Sequence, residues 1–289
     1  MSIHAIDENV DPVAQAKIDL AAALRLAVYH ELEEGIDNHF TVTQPGYEDR
    51  YMVLPFGLHW SEASASDMIV FNEAGDTLEG EGVVELSAQC IHAPIHRITG
   101  RRVVFHTHQN WALALNMLED NRLIPACQTS AFFDGRIAYD DHYYGTADSL
   151  EEGERLAGII GDNQVVFLRN HGVLVAVDSI SRAYRMLYLL ERVCRAQIRA
   201  MSTGQTLLPI APEPPTPLYH LLYSAAGFRS VTPWVPPYHA VLRGGRKELL
   251  ARSGSGPLKP LPYGILPLRS LPHRRSFPDP AGNPWKCML

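Results

Sequence analysis

The sequence predicts an α/β layered domain of about 200 residues followed by an extension of different character. Three observations predict it. Helical patterns alternate with short runs of β-branched and aromatic residues from about residue 15 to residue 204. No self-similarity at a spacing of 20–50 residues points to a repeat array. Near residue 205 both periodicities stop and the composition changes: residues 205–289 hold 16 of the 21 prolines and 10 Lys+Arg against 3 Asp+Glu, leaving 15 Lys+Arg against 29 Asp+Glu in residues 1–204.

The elements follow in order. QAKIDLAAALRLAVYHELEE (15–34) is rich in Ala and Leu at helical spacing and stops at Gly35, a residue common just past a helix end. HFTVT and RYMVLP flank the turn signal QPGYED and predict a hairpin, and DMIVFN predicts a third strand closed by EAGD. Val83 to Ile98 returns to helical spacing, with Pro94 predicting a kink. RRVVFH predicts a strand, with a helix directly behind it over Asn110–Glu119. IPACQT and GRIAYD are strand candidates, SLEEGERLAGIIG a helix, QVVFLRN and VLVAVD strands. A long amphipathic helix, SISRAYRMLYLLERVCRAQIRAMSTG, has Ser179 or Ser181 as its cap. The expected organisation is thus an N-terminal extension over 1–17, one domain over 18–205, and a proline-rich basic tail over 206–289.

At that proline density neither a helix nor a central strand can persist, so the tail is expected to be irregular or disordered. Three readings fit it: a solvated extension, a polyproline ligand through PEPPTP, or a segment from an altered reading frame. The formal net charge of -7 argues against a general nucleic-acid binder. The acidic start MSIHAIDENVDP lacks the pattern of a secretory signal, and no apolar run reaches membrane-spanning length. Cys90, Cys127, Cys194 and Cys287 are far apart with no C-x-x-C pair, which fits a reducing, cytoplasmic setting.

Chemistry concentrates in VVFHTH (103–108). Residues i and i+2 of a strand project from one face, so His106 and His108 would point into one space. His171, in LRNHG, likewise sits where an apolar strand breaks into a turn, and Gly172 allows a tight reversal there. Three neutral imidazoles leave the fourth position of a tetrahedral zinc ion open, and the same set could hold Fe(2+). An accidental H-x-H at a strand end is the alternative. His92 and His96, i and i+4 in IHAPIH, share a helix face but lack the glutamate of a metalloprotease motif. They read as packing or hydrogen-bonding groups near the site, with a histidine of near-neutral pKa also able to serve as a base.

The run VVFHTHQNWALALNMLEDNRLIPACQTSAFFDGRIAYDDHYYGTAD, then EEGERLAGIIGDNQVVFLRNHGVLVAV, resembles the class II aldolase/adducin family. GIDNHFTVTQPG, LPFGLHWSEASASDMI and IHAPIH match its adducin-like branch, and the resemblance spans roughly residues 18–205. It implies a three-layer α-β-α sandwich around a mainly antiparallel sheet, assembled as a homotetramer with sites at subunit interfaces. It also implies a divalent metal on His106, His108 and His171, zinc first, with Fe(2+) or Mn(2+) as alternatives. Asn38 falls on the family's early-loop substrate residue, Pro55, Phe56 and Gly57 on its substrate-binding turn, and Tyr144 on a segment approaching the metal pocket.

One position departs. The sugar-phosphate aldolases carry a glutamate four residues before a helical histidine, and aligning that histidine with His92 places Ala88 there. A retro-aldol needs a base and an acid besides the metal. Glu85, with Glu81 further off, and His92 are the candidates for that proton transfer, whereas decarboxylation yields an enolate without a base to start it. The expected activity is a metal-dependent lyase, of aldolase or decarboxylase type, on a small oxygenated carbonyl or carboxylate. A non-haem Fe(2+) oxygenase on the same histidines and a non-catalytic adducin-like protein with a cytoskeletal partner are the competing readings.

Overall fold

The computed structural model describes residues 11–145 and 148–210, and within them an eight-stranded sheet is sandwiched between two layers of helices. Helix α1 (Pro12–Tyr29) opens the chain. It starts before Ala16 because Asp11 caps it, accepting from the backbone N–H groups of Val13 and Ala14 (both 3.3 Å), with Pro12 at the first helical position. Residues 12–17 are therefore helical. The helix ends five residues earlier than Glu34, because Glu31 takes a left-handed φ of 56° and the Leu32 N–H turns back to the carbonyl of Ala27 (2.9 Å).

Strands β1 (His39–Thr43) and β2 (Tyr51–Val53) form the expected hairpin, and β3 (Ile69–Phe71) pairs with β2. β4 (Thr77–Glu79) is a wholly exposed edge strand with no sequence signal. The predicted helix over 83–98 is shorter and differently built: a π-helical turn, Ala88–His92, runs into α2 (Ala93–Thr99). Pro94 falls in the first turn of α2, where its missing N–H costs nothing. β5 (Val103–Thr107) is followed by α3 (Asn110–Asn116). The stretch 124–129 is not a strand; the chain runs irregularly into the short helix α4 (Gln128–Ala131), which Cys127 caps from its sulfur. β6 (Ile137–Asp140), α5 (Leu150–Ile160), β7 (Val165–Leu168), β8 (Gly172–Val177) and α6 (Ile180–Met201) complete the domain.

The strand order is β4-β3-β2-β1-β5-β8-β7-β6, antiparallel throughout except for the β6–β7 pair. Period-2 alternation sorts the side chains between two cores. Val103 and Phe105 face the core shared with α1 and α6, where Phe105 stacks on Phe40 at 3.7 Å between ring centroids. Val104 faces the other core with Ile91, Ile95, Leu156 and Ala157. His106 has the parity of Val104, and His39 and Thr41 have the opposite parity to Phe40 and Val42, so a polar seam lies under the π turn and α2. No helix of the described residues is long and apolar enough to cross a membrane. Of the proline-rich tail only 206–210 is described, where the Ile210 N–H donates to the Pro125 carbonyl (2.9 Å); the remainder of that expectation lies outside the described residues.

Candidate metal centre

β5 delivers His106 and His108 to one end of the sheet, and the turn between β7 and β8 delivers His171. Their ring centroids stand 4.8–4.9 Å apart, and one nitrogen of each lies within 4.8 Å of the others. Two devices hold the strand exit. Glu191 of α6 accepts from the backbone N–H groups of Trp111 (2.9 Å) and Ala112 (3.1 Å), capping α3 immediately after His108. Gln109 donates to the Leu187 carbonyl (3.2 Å) and accepts from Thr107 (3.0 Å).

The His171 turn is equally constrained. Asn170 adopts a left-handed φ of 58°, a conformation asparagine tolerates. Asn116 of α3 donates across the turn to the carbonyls of Leu168 and Gly172 and accepts from Asn121 (2.9 Å). Gly172 is there for space: a Cβ would lie 2.6 Å from the Thr107 carbonyl and 2.8 Å from His108 Cδ2.

The donor chemistry fits a divalent cation. His106, 1% exposed, donates from Nδ1 to the Val173 carbonyl (3.0 Å), leaving an Nε2 lone pair towards the centre. His108 Nδ1 lies 2.6 Å from the Glu34 carboxylate, which leaves its Nε2 facing inward too. The two Nε2 atoms are 3.0 Å apart. Two facing acceptors need a shared cation or proton between them, and ligands on a tetrahedral ion at 2.0–2.1 Å stand about 3.4 Å apart. Burial, then the neighbouring His108 and His171, push His106 well below its usual pKa, and burial lowers His171 to about 4. Both rings are neutral at physiological pH, the state a metal ligand needs.

Two clefts flank the triad. One is lined by Asn38, Leu54, Pro55, Phe56, Gly57 and Glu85 among others. Asn38 links it to the triad, accepting from the His108 N–H (3.4 Å) and the Glu34 N–H (2.9 Å). The other cleft lies beside His171 and includes Tyr144 and Arg169. Arg155 stacks over the Tyr144 ring at 4.3 Å while its own charge is held by Asp140 and Glu152.

Glu85 and His92, the candidate proton-transfer groups, both lie against His39. Glu85 accepts from Ser87 Oγ and from the Ala88 N–H (2.9 Å), and sits 3.4 Å from His39 Nε2. Burial opposes its charge, but His39, the Ser87 hydroxyl and the backbone N–H groups outweigh it and keep the carboxyl below its ordinary pKa. His92, fully buried, is engaged at both nitrogens behind His39 and does not reach the triad.

The residue that sequence reasoning passed over is His39. It pairs in register with His106, and the rings are 5.1 Å apart. From it runs a buried chain: His39 Nδ1 to His92 Nε2 (2.7 Å), His92 Nδ1 to Thr41 Oγ1 (2.7 Å), Thr41 Oγ1 to His96 Nε2 (2.8 Å), and His96 Nδ1 to the Arg101 carbonyl (2.6 Å). A carbonyl can only accept, so His96 carries its proton on Nδ1. Burial pushes all three rings below their ordinary pKa, His39 and His96 to about 4 and His92 well below 6.5. His39 Nε2 lies 2.9 Å from Ser87 Oγ, whose hydroxyl donates to Glu85.

The sequence profile of the Class II Aldolase and Adducin N-terminal domain family matches residues 18–198. The chain belongs to the class II aldolase/adducin family. A putative aldolase class 2 protein from Caulobacter vibrioides is 30% identical over 201 residues, covering 69% of this chain and 77% of its own. Decarboxylase NovR of Streptomyces niveus is 27% identical, covering 60% of this chain and 64% of its own. Among solved structures, an L-fuculose 1-phosphate aldolase from Glaciozyma antarctica superposes with a TM-score of 0.70 at 25% identity, covering 83% of this chain and 93% of that one. The eight-stranded, mostly antiparallel sheet between helical layers agrees with the sandwich that family membership implies.

Proposed function

We propose that this family member is a divalent-metal-dependent carbon–carbon lyase, of aldolase or decarboxylase type, acting on a small oxygenated carbonyl or carboxylate. The observation that carries the reading is the convergence of His106, His108 and His171, with the Nδ1 bonds of His106 and His108 leaving their Nε2 atoms facing each other. Similarity to an aldolase and to a decarboxylase supports the lyase class. When bound, a divalent ion, zinc first with Fe(2+) or Mn(2+) as alternatives, would supply electrophilic stabilisation of the negative charge that develops on substrate oxygens as the bond breaks.

The chain's own groups do the rest. Glu34 orients His108, and the Val173 carbonyl orients His106. Asn38 and the Pro55-Phe56-Gly57 turn wall the substrate space on one side, and Tyr144 and Arg169 on the other. Ala88 is buried where a carboxylate would otherwise stand, so proton transfer falls to the Glu85–Ser87–His39 group, with His92 hydrogen-bonded behind His39. We place this enzyme in the cytoplasm as a homotetramer.

The test is turnover by zinc- or manganese-loaded protein on 2-hydroxy and 2-oxo carbonyl compounds under nitrogen, reading the released aldehyde or CO2. Lyase activity persists without oxygen and is lost in His171→Ala. Turnover that requires both Fe(2+) and oxygen would replace the lyase reading with an oxygenase on the same histidines.

A further inference from the structure

We infer that Glu191 of α6 is a positioning residue for the metal centre: by holding the first turn of α3 it fixes the placement of His108 and, through Asn116 at the other end of that helix, of His171. This holds whichever reaction the site performs, and rests only on the reading of the triad as a metal centre.

α3 is a seven-residue rod joining two of the three candidate ligands. There is no slack at its start: β5 ends at Thr107, and only His108 and Gln109 separate that strand from Asn110. At its end Asn116 donates to the carbonyls of Leu168 and Gly172 (3.2 Å to the latter), on either side of His171. A shift of α3 against the sheet therefore changes the spacing and angle of the two imidazoles. Groups that orient ligands in this way are worth about 10–100-fold in metal affinity.

What holds α3 comes from α6. Gln109 occupies the cap position of α3 but does not cap it, because its side chain is drawn between Thr107 (3.0 Å) and the Leu187 carbonyl (3.2 Å). The first-turn N–H groups would then be left without partners against the core, where Ala112 is wholly buried. Glu191 meets them with both oxygens, Trp111 at 2.9 Å and Ala112 at 3.1 Å. Its carboxyl is itself buried, and burial outweighs these bonds and pushes its pKa up. A serine or aspartate at position 109 would cap the helix locally without that burial; a carboxylate on α6 also ties the helix to its neighbour. One and two turns further on, the exposed Arg195 and Arg199 stand over the Trp111 ring, 5.7 and 5.4 Å from its centroid. Leu187, Glu191, Arg195 and Arg199 recur every four residues, so one face of α6 grips the strand exit, the helix start and the Trp111 indole.

The experiment takes the full chain and measures zinc affinity by competition with a chromogenic chelator, together with the visible absorption of the cobalt-loaded protein, which reads ligand geometry. Glu191→Gln keeps the side chain's size but replaces one acceptor oxygen by an NH2 group that cannot accept from a backbone N–H. Its zinc affinity should fall at least about tenfold, with a shift of the cobalt bands. Should Glu191→Gln fold poorly, Arg195→Ala combined with Arg199→Ala, both at exposed positions, carries the test: the cobalt bands should shift and zinc affinity should fall by less than about tenfold. Asp11→Ala removes the cap of α1, at the other end of that helix from Glu34, and so separates a lost cap from a displaced ligand. It should lower the melting temperature and bind zinc and cobalt as the parent does. Glu191→Gln with the parent's zinc affinity and cobalt spectrum, an arginine pair whose removal changes neither, or Asp11→Ala that weakens zinc as much as Glu191→Gln overturns the inference. A parent chain that takes up no zinc removes the metal reading and the inference together, whereas a parent that holds zinc beside an unaffected Glu191→Gln removes the inference alone.

Discussion

Substitution of Gly172 by alanine puts one methyl group into the most crowded point of the site. Its Cβ would stand 2.6 Å from the Thr107 carbonyl oxygen, 2.8 Å from His108 Cδ2 and 3.3 Å from His106 Cε1. Thr107 cannot yield, because it is paired with Val173 in the β5–β8 ladder. The His108 ring must therefore swing away, taking its nitrogen off the common point, or β8 must shift. Overpacking of this kind costs about 1–3 kcal/mol, which for a domain of this size lowers the melting temperature by roughly 2–4 °C per kcal/mol. Metal affinity should fall at least about tenfold, the scale seen when ligand orientation is disturbed. Gly158, exposed within α5, is the control, because a Cβ there would meet nothing within 4 Å: Gly158→Ala should raise stability by about 0.5–1 kcal/mol. Thermal melts with and without EDTA, alongside elemental analysis, read both effects. Gly172→Ala that melts like the parent and keeps its metal would refute the steric argument and with it the claim that the ligand spacing is tightly set.

Other outcomes follow from the same geometry. Glu34→Gln keeps the hydrogen bond to His108 but loses its charge; since Glu34 is 63% exposed, the melting temperature should stay put while zinc affinity drops roughly tenfold in competition with a chromogenic chelator. Thr41→Val strands the Nδ1 of His92 and the Nε2 of His96 in a buried seam, and should cost about 1–3 kcal/mol in urea unfolding. For pH, the sign follows from the depressed folded-state value of His96. Unfolded chains bind its proton near pH 6.5 and the folded chain near 4, so its contribution is complete above about 6.5 and is lost as pH falls towards 4. That loss is of order 3 kcal/mol; His96→Gln should flatten the acid limb of the stability curve between those values, and an unchanged limb would contradict the assignment.

The fold was legible where periodicity is strong and less so where tertiary contacts decide. The long helix over Ile180–Met201, the strand carrying His106 and the strand leading to His171 declare themselves by pattern. The start of α1 was legible in principle, since Asp11 followed by Pro12 is a helix-start signal. Its end was not, because a left-handed Glu31 has no sequence mark. Edge strand β4 has three exposed residues and nothing to alternate against. The three candidate ligands could be gathered from two strand-end motifs, but Glu34, Asn116 and His39 could not: each depends on which elements become neighbours. His39 opposes His106 only through the β1–β5 register. The clue available was a histidine and two threonines alternating along HFTVT, polar side chains on one face of a strand that is buried throughout.

The most direct test of the account is the metal content of the full chain, purified without chelators and then equilibrated with zinc, compared with His106→Ala, His108→Ala and His171→Ala. The account predicts about one ion per chain in the parent, loss of that ion in each variant, and folding of the variants retained by circular dichroism. A parent chain that takes up no zinc, or variants that hold as much as the parent, would contradict it.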